Sequence, residues 1–349
     1  MRSRPLATAL LSLSLLSPVL LTPGLHGQEA PSPGGPPPAS DAPPPAELSD
    51  APTLNVNVNL VNLYFSARDK DGFITNLAKS DCSVAEDKVP QTIKNFTQEK
   101  NLPLTIGILL DTSGSQQNVL PLEQQSGATF LRDVLTPKDE AFLISFDINV
   151  DLLADYTNRA SDIRRALDKA RINTGAGTGS ITGNGEPRGT LLYDAVFLAA
   201  NEKLRMEAGR KVIVMLTDGG DQGSQENLRT ATEAAQKSNA IVYVILIADH
   251  SFYGGGFGIN LADTGARDMD QLARETGGRV INVGHDGRKL EDAFNQIQEE
   301  LRTQYLLSYT PTNLKADGTF RKIDLTCGKD LRIQTRKGYY ALSADDAAQ

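Results

Sequence analysis

At 349 residues the chain is long enough for two domains, and a 40% hydrophobic, 22% charged composition is that of a globular protein with a core. Its formal charge of −8, with no arginine- or lysine-rich run, repels phosphate backbones and excludes nucleic acid as the expected partner. The chain opens with Arg2 and Arg4, continues through an uncharged Leu-, Ala- and Ser-rich stretch over 6–21, and reaches small residues at Gly27 and Ala30. That pattern reads as an export signal over residues 1–27 and places the protein in the periplasm or outside the cell. Pro18 and Pro23 break the apolar stretch, whereas a permanent span needs about 20 unbroken apolar residues, so no permanent membrane span is expected. Residues 28–53, rich in Pro, Ala, Ser and Gly, cannot bury a core and are expected to be an extended linker.

From residue 54 the pattern changes to alternation. In LNVNVNLVNLYFSARD, Val56, Val58 and Leu60 fall on one face, which is the period of a strand. Asp71-Gly72 is a hairpin signal, and CSVAED and QTIKNFT are further short strands of a small β unit over 54–100. Over 101–304 buried-strand runs (LTIGILL, FLISF, KVIVMLT, AIVYVILIA) alternate with helical spacing, for example Met269, Leu272, Ala273 and Thr276 before a Gly277-Gly278 cap, and Leu290, Ala293, Phe294, Ile297 and Leu301. Such alternation predicts an α/β fold with a doubly wound, mainly parallel sheet and flanking helices. VDLLADYT follows FLISFDIN too closely for a helical crossover and is expected to be an antiparallel edge strand. Over 305–342 strands return in YLLSYTP, FRKIDLTC and LRIQTRKGYYAL, followed by a disordered tail at 343–349. Two- or three-stranded units are marginal alone, so both flanks are expected to build one small β-sandwich-like domain with the α/β domain inserted in it. Cys82 and Cys327, the only cysteines, lie one in each flank; an exported protein permits a disulfide between them, and two separate buried thiols are the alternative.

Two apolar strands end in chemistry-bearing residues. LTIGILL runs into Asp111-Thr112-Ser113-Gly114-Ser115, and KVIVMLT into Asp218-Gly219-Gly220-Asp221. Open α/β sheets bind ligands outside the carboxyl ends of their strands. A Gly-rich loop ending at Gly189-Thr190 offers a third contribution. Asp111, Ser113, Ser115, Thr190 and Asp218 are all hard oxygen donors, which suit Mg²⁺ or Mn²⁺, with Ca²⁺ possible, rather than zinc or copper. Singly, Ser113, Ser115 and Thr190 read as helix caps and Asp218 as a strand-end turn residue; Asp221 reads as a solvated turn residue.

This constellation resembles the metal-ion-dependent adhesion site of von Willebrand factor A domains, including integrin inserted domains, over residues 103–303. The resemblance implies direct coordination by Ser113 and Ser115, direct or water-mediated coordination by Thr190, and a water-mediated role for Asp111 and Asp218. The mature chain as a whole resembles the von Willebrand factor A-related proteins of Acidobacteria, through ARDKDGFITNLAKSDCSVAEDKVPQTI, LARETGGRVI, YLLSYTPTN, DGTFRKIDL and RKGYYAL; it departs from them at Cys82, where such proteins usually carry Phe.

The function expected is a non-enzymatic binding module, for adhesion or envelope assembly, that grips an Asp or Glu of a protein partner through the ion, because the cation inverts the local charge of an acidic chain. A structural scaffold in which the ion only staples loops is the alternative. An aspartic protease dyad from Asp111-Thr112-Ser113 and Asp263-Thr264-Gly265 is a third reading; it conflicts with the helices and with Ser113 where Gly is wanted. A serine triad lacks a nucleophile elbow near His250 or His285. The segment from Asp249 to Arg267 reads as a loop on the ion's face, with Phe252, Tyr253 and Phe257 as apolar contacts for a partner.

Overall fold

The computed structural model describes residues 60–99, 102–173, 189–247 and 258–342, with the backbone alone for 258–263. The expected leader, linker and tail, Val56 and Val58, most of the Gly-rich loop before Gly189, and Phe252, Tyr253 and Phe257 lie outside these residues. All described residues belong to one compact unit, Val56–Gln349.

Strands β1 (Val61–Arg68), β2 (Cys82–Glu86), β3 (Val89–Gln91) and β4 (Ile93–Gln98) form the first flank. The buried face of β1 carries Val61, Leu63, Phe65 and Ala67, opposite in phase to the face picked out by the Val56–Val58–Leu60 alternation, and Leu60 is exposed ahead of the strand. Apolar residues fall on both parities here, and the face that wins is the one that puts Leu63 and the Phe65 ring into the core.

The α/β segment runs β5 (Leu104–Asp111), α1 (Leu120–Val134), β6 (Glu140–Phe146), β7 (Val150–Thr157), α2 (Ala160–Leu167) and α3 (Leu192–Leu198), which continues into a π-helical turn over Ala199–Leu204. It goes on through β8 (Arg210–Thr217), α4 (Leu228–Lys237), β9 (Ala240–Leu246), α5 (Gly258–Thr276), β10 (Val280–Asn282) and α6 (Gly287–Thr303). Its six strands lie in the order β10-β9-β8-β5-β6-β7, all parallel except β7, the antiparallel edge that the short connection predicts. Strands β5, β8 and β9 are buried along their whole length, which is why they read as unbroken apolar runs. One face packs on α1, α2 and α6 around Ile108, Leu131 and Phe294; the other packs on α3, α4 and α5 around Phe142, Met215 and Leu272. Gly277 caps α5 with a φ of 94°. The expected loop up to Arg267 is corrected, since helix α5 already begins at Gly258.

After α6 come β11 (Tyr305–Tyr309), β12 (Phe320–Cys327), β13 (Arg332–Thr335) and β14 (Gly338–Tyr340). They interleave with the first flank in two four-stranded sheets, β13-β1-β11-β4 and β14-β12-β2-β3. Leu63, Phe65, Val84, Tyr305, Leu307 and Ile323 fill the space between. LRIQTRKGYYAL is not one strand: it breaks at Arg336-Lys337 and serves both sheets through β13 and β14.

Cys82 and Cys327 face each other on β2 and β12 with Cα atoms 4.0 Å apart, and they are joined by a disulfide. One buried carboxylate gathers several of the contacts between the sandwich and the α/β unit. Glu300 of α6 accepts hydrogen bonds from Ser66 Oγ of β1 (3.0 Å), Gln334 Nε2 of β13 (2.7 Å), Tyr243 OH of β9 (2.9 Å) and Arg279 Nε (3.0 Å).

Candidate metal centre

Parallel neighbours β5 and β8 end side by side, so Asp111 and Asp218 emerge at one point on the carboxyl edge of the sheet. Asp111 is completely buried and Asp218 nearly so. Two donors orient Asp111: Ser113 N to Oδ1 at 2.9 Å and Thr217 Oγ1 to Oδ2 at 2.6 Å. The Ser113 and Ser115 hydroxyls lie 3.0 Å apart. Ser113 stands at the N-cap of a 3₁₀ turn over Gly114–Gln116, yet its side chain makes no capping bond, so its hydroxyl is not used as a cap. Asp218 Oδ1 accepts from Gly220 N at 3.0 Å, the bond of a strand-end turn residue.

Thr190 arrives on a separate loop. Its backbone exchanges two hydrogen bonds of 2.9 Å with Gln222 beyond β8, and Leu191 N donates to Asp147 O at 2.8 Å. Thr190 does not cap α3, whose N-cap is Leu191. Asp221 is half-buried, not solvated: it accepts from Ser224 Oγ at 2.6 Å and from Tyr193 N, at the start of α3, at 3.3 Å. The glycines after β8 allow a close approach of backbones. Gly219 has a φ of 86°, and a Cβ on Gly265 of α5 would lie 2.3 Å from the Gly219 carbonyl oxygen.

Three buried residues near the site were not anticipated from sequence. Asp147, just after β6, accepts from Thr112 Oγ1 (2.8 Å), Asn149 N (3.0 Å) and Asn173 Nδ2 (3.1 Å), which ties the first site loop to its neighbours. Glu123 on α1 is fully buried, and neither it nor the amide of Gln116 has a hydrogen-bond partner among the described residues. The sequence signal was Glu123 in phase with Leu120, Phe130 and Val134 on the buried face of α1.

The electrostatics of the site are those of crowded carboxylates. Burial, and next the charge of Asp218, push the Asp111 carboxyl up to about 7, against the lowering effect of its Ser113 and Thr217 bonds. Burial, then Asp111 and Asp218, hold Glu123 well above the usual carboxylate range. A divalent cation relieves this conflict by favouring the ionised form of Asp111, and the paired hydroxyls supply neutral oxygen donors, so the residues present fit such an ion. Among the described residues no group of three or more carboxylate, imidazole or thiol side chains could hold a metal alone, so an ion here needs the hydroxyls.

No family model matches the chain. A curated relative, the calcium-activated chloride channel regulator 3A-1 of Mus musculus, is 26% identical over 204 residues, or 58% of this chain; the chain spans only 20% of that protein. Among solved structures, BatB from Bacteroides thetaiotaomicron is 16% identical with a TM-score of 0.42, covering 57% of this chain and 99% of that one. The vWF domain of the type V pili tip protein Mfa5 from Porphyromonas gingivalis is 13% identical with a TM-score of 0.43, covering 58% and 96%. Proximal thread matrix protein 1 from the mussel byssus, with a zinc-occupied MIDAS motif, is 18% identical with a TM-score of 0.44, covering 61% and 48%. The α/β unit has the von Willebrand factor A-type fold. Its mainly parallel sheet, antiparallel edge and helices on both faces are those the sequence predicts.

Proposed function

We propose that the protein is an exported binding module, not an enzyme, that holds Mg²⁺ or Mn²⁺ at Asp111, Ser113, Ser115, Thr190 and Asp218 and uses it to grip a carboxylate of a protein partner. The observation that carries this reading is the pair of buried carboxylates at adjoining strand ends, beside two serine hydroxyls 3.0 Å apart that cap nothing. Ser113 and Ser115 would coordinate the ion directly, Thr190 directly or through water, and Asp111 and Asp218 would hold its water. The ion supplies a positive charge that draws an Asp or Glu from outside to an otherwise acidic chain. The resemblance to Acidobacterial von Willebrand factor A-related proteins, the leader-like start and the disulfide support an envelope or extracellular setting. Among the described residues no helix is long and apolar enough to cross a membrane.

A role as a mere staple is less well supported, because the site loops are already tied by protein hydrogen bonds from Thr190 to Gln222 and from Leu191 to Asp147. The protease reading is weakened by Asp263-Thr264-Gly265, which lie inside helix α5 rather than on a loop facing Asp111. The test is capture of envelope proteins on the immobilised mature chain in Mg²⁺ and in chelator. Retention of a partner in Mg²⁺, and its loss with chelator or with Asp218→Ala, is expected. Capture that is identical in all three conditions contradicts the reading.

A further inference from the structure

A cleft lies at the opposite end of the sheet from the metal centre. It opens where the start of β8, the end of α4 and the strands β1 and β14 meet, and its volume of about 540 Å³ is in the range of small-ligand sites. Lys211 is the second residue of β8 and Asp218 follows its end, so along the strand the cleft and the metal centre are about 20 Å apart. In a chain of net charge −8 this cleft is cationic: Lys211, Lys237, Lys315 and Arg336 line it, against Glu207.

Arg336 is central to it. Its guanidinium donates to Asn239 Oδ1 and, at 2.9 Å, to Asn62 O, and lies 5.7 Å from the Tyr339 ring centre. Its Nε is buried without a hydrogen-bond partner, and no carboxylate is among the groups acting on its charge, which are the hydroxyls of Tyr309, Tyr339 and Tyr64. Burial holds it down at about 10. Arg336 is half-buried, and a partly desolvated cation without a counter-charge gains from an anion that supplies one. By contrast Lys237 is answered by Glu233 at 2.8 Å, and Lys211 Nζ by the Arg205 carbonyl at 3.1 Å.

We infer that this cleft binds an acidic sugar, a pyranose carboxylate such as a uronic acid unit of a polysaccharide, with its carboxylate on Arg336. Three features select a sugar. Tyr64, Tyr339 and Tyr340 offer ring surfaces, on which the apolar face of a pyranose can lie. The amides of Asn62, Gln236, Asn239 and Asn313 each spend one end on the protein, which leaves the Asn62, Asn239 and Asn313 NH₂ groups as donors and the Gln236 oxygen as an acceptor, a mixed set as a ring of hydroxyls requires. An extended peptide would be read by addition to a sheet edge, but the edge strands β13 and β14 are packed against α5 and α4.

The test is calorimetric titration of the oxidised mature protein with trigalacturonic acid, maltotriose and triglutamate, with chelator present throughout to keep the metal centre out of play. Binding of trigalacturonic acid alone is expected, weakened about tenfold or more by Arg336→Gln, as for loss of a charge-assisted bond. Lys315→Glu changes an exposed side chain and so leaves the fold undisturbed; it should weaken binding several-fold with an unchanged melting temperature. No binding of the uronate, undiminished binding in both variants, or equal binding of triglutamate, which would make the cleft an acidic-peptide site, overturns the inference.

Discussion

In the α/β unit neighbouring strands are joined by a short crossover or turn, except the central pair β5 and β8, and the sheet is sealed by two separate apolar cores. In the sandwich Val61 pairs with Tyr309 and Phe65 with Thr335, so every strand pair that joins the flanks closes across the whole inserted domain. Local contacts are cheap in chain entropy, and distant ones are not. The sandwich therefore carries devices that the α/β unit does without: a disulfide across β2 and β12, and the Glu300 cluster that fixes it to α6. The sandwich adds covalent and polar links to its apolar core, where the α/β unit rests on apolar burial.

Breaking the covalent link should have the largest effect. Cys82→Ser with Cys327→Ser should lower stability by roughly 2–5 kcal/mol in denaturant melts, with metal affinity little changed. A loss of metal binding that tracks the loss of the disulfide would show the two regions to be one cooperative structure. Glu300→Ala comes next. It leaves Arg279, Tyr243, Ser66 and Gln334 without their shared acceptor, and should cost about 3–4 kcal/mol. An unaffected melting temperature would mean that the sandwich docks by other contacts. On the α/β side, Gly265→Ala forces a methyl onto the Gly219 carbonyl; it should cost about 1–3 kcal/mol and weaken Mg²⁺ binding by displacing the loop that begins at Asp218. The smallest change is expected for Glu123→Gln. An acid held protonated by burial is nearly isosteric with the amide, so the metal-free melt should move by less than about 1 kcal/mol. A large stabilisation would mean that Glu123 is ionised in the native state.

The α/β unit was legible because its strands are continuous apolar runs and its helices α5 and α6 carry clean periodic stripes. Helices α1 and α4 were not singled out. The buried face of α1 includes Glu123, Ser126 and Gly127, and that of α4 is built on Ala231, Ala234 and Ala235, small residues that give little contrast with a polar face. The polar residues that hid α1 are also the ones that hid Glu123 and its place behind the site. In the sandwich, the phase of β1 and the break at Arg336-Lys337 depend on which sheet each segment joins, and no local pattern specifies that. The five expected site residues all sit at the carboxyl edge or on a loop tied to it; Asp147 went unnoticed because its part is to bind loops that sequence cannot show to be neighbours.

The central claim is that the strain between Asp111 and Asp218 is relieved by a divalent cation, and titration of chelator-treated protein with Mg²⁺ and Mn²⁺ at pH 5.5 and 7.5 tests it most directly. The folded Asp111 carboxyl is raised from 3.8 to about 7, so its contribution to the metal-free fold is fully present below about pH 4 and is lost as pH rises through about 7. The ion needs the ionised form, so affinity should climb over the same window. One ion per chain, tighter at pH 7.5 and abolished in Ser113→Ala with Ser115→Ala, is the predicted result; at a hundredfold excess over the dissociation constant it should add ~2.7 kcal/mol of stability. No ion bound at either pH, or binding that is indifferent to both serines, would contradict it.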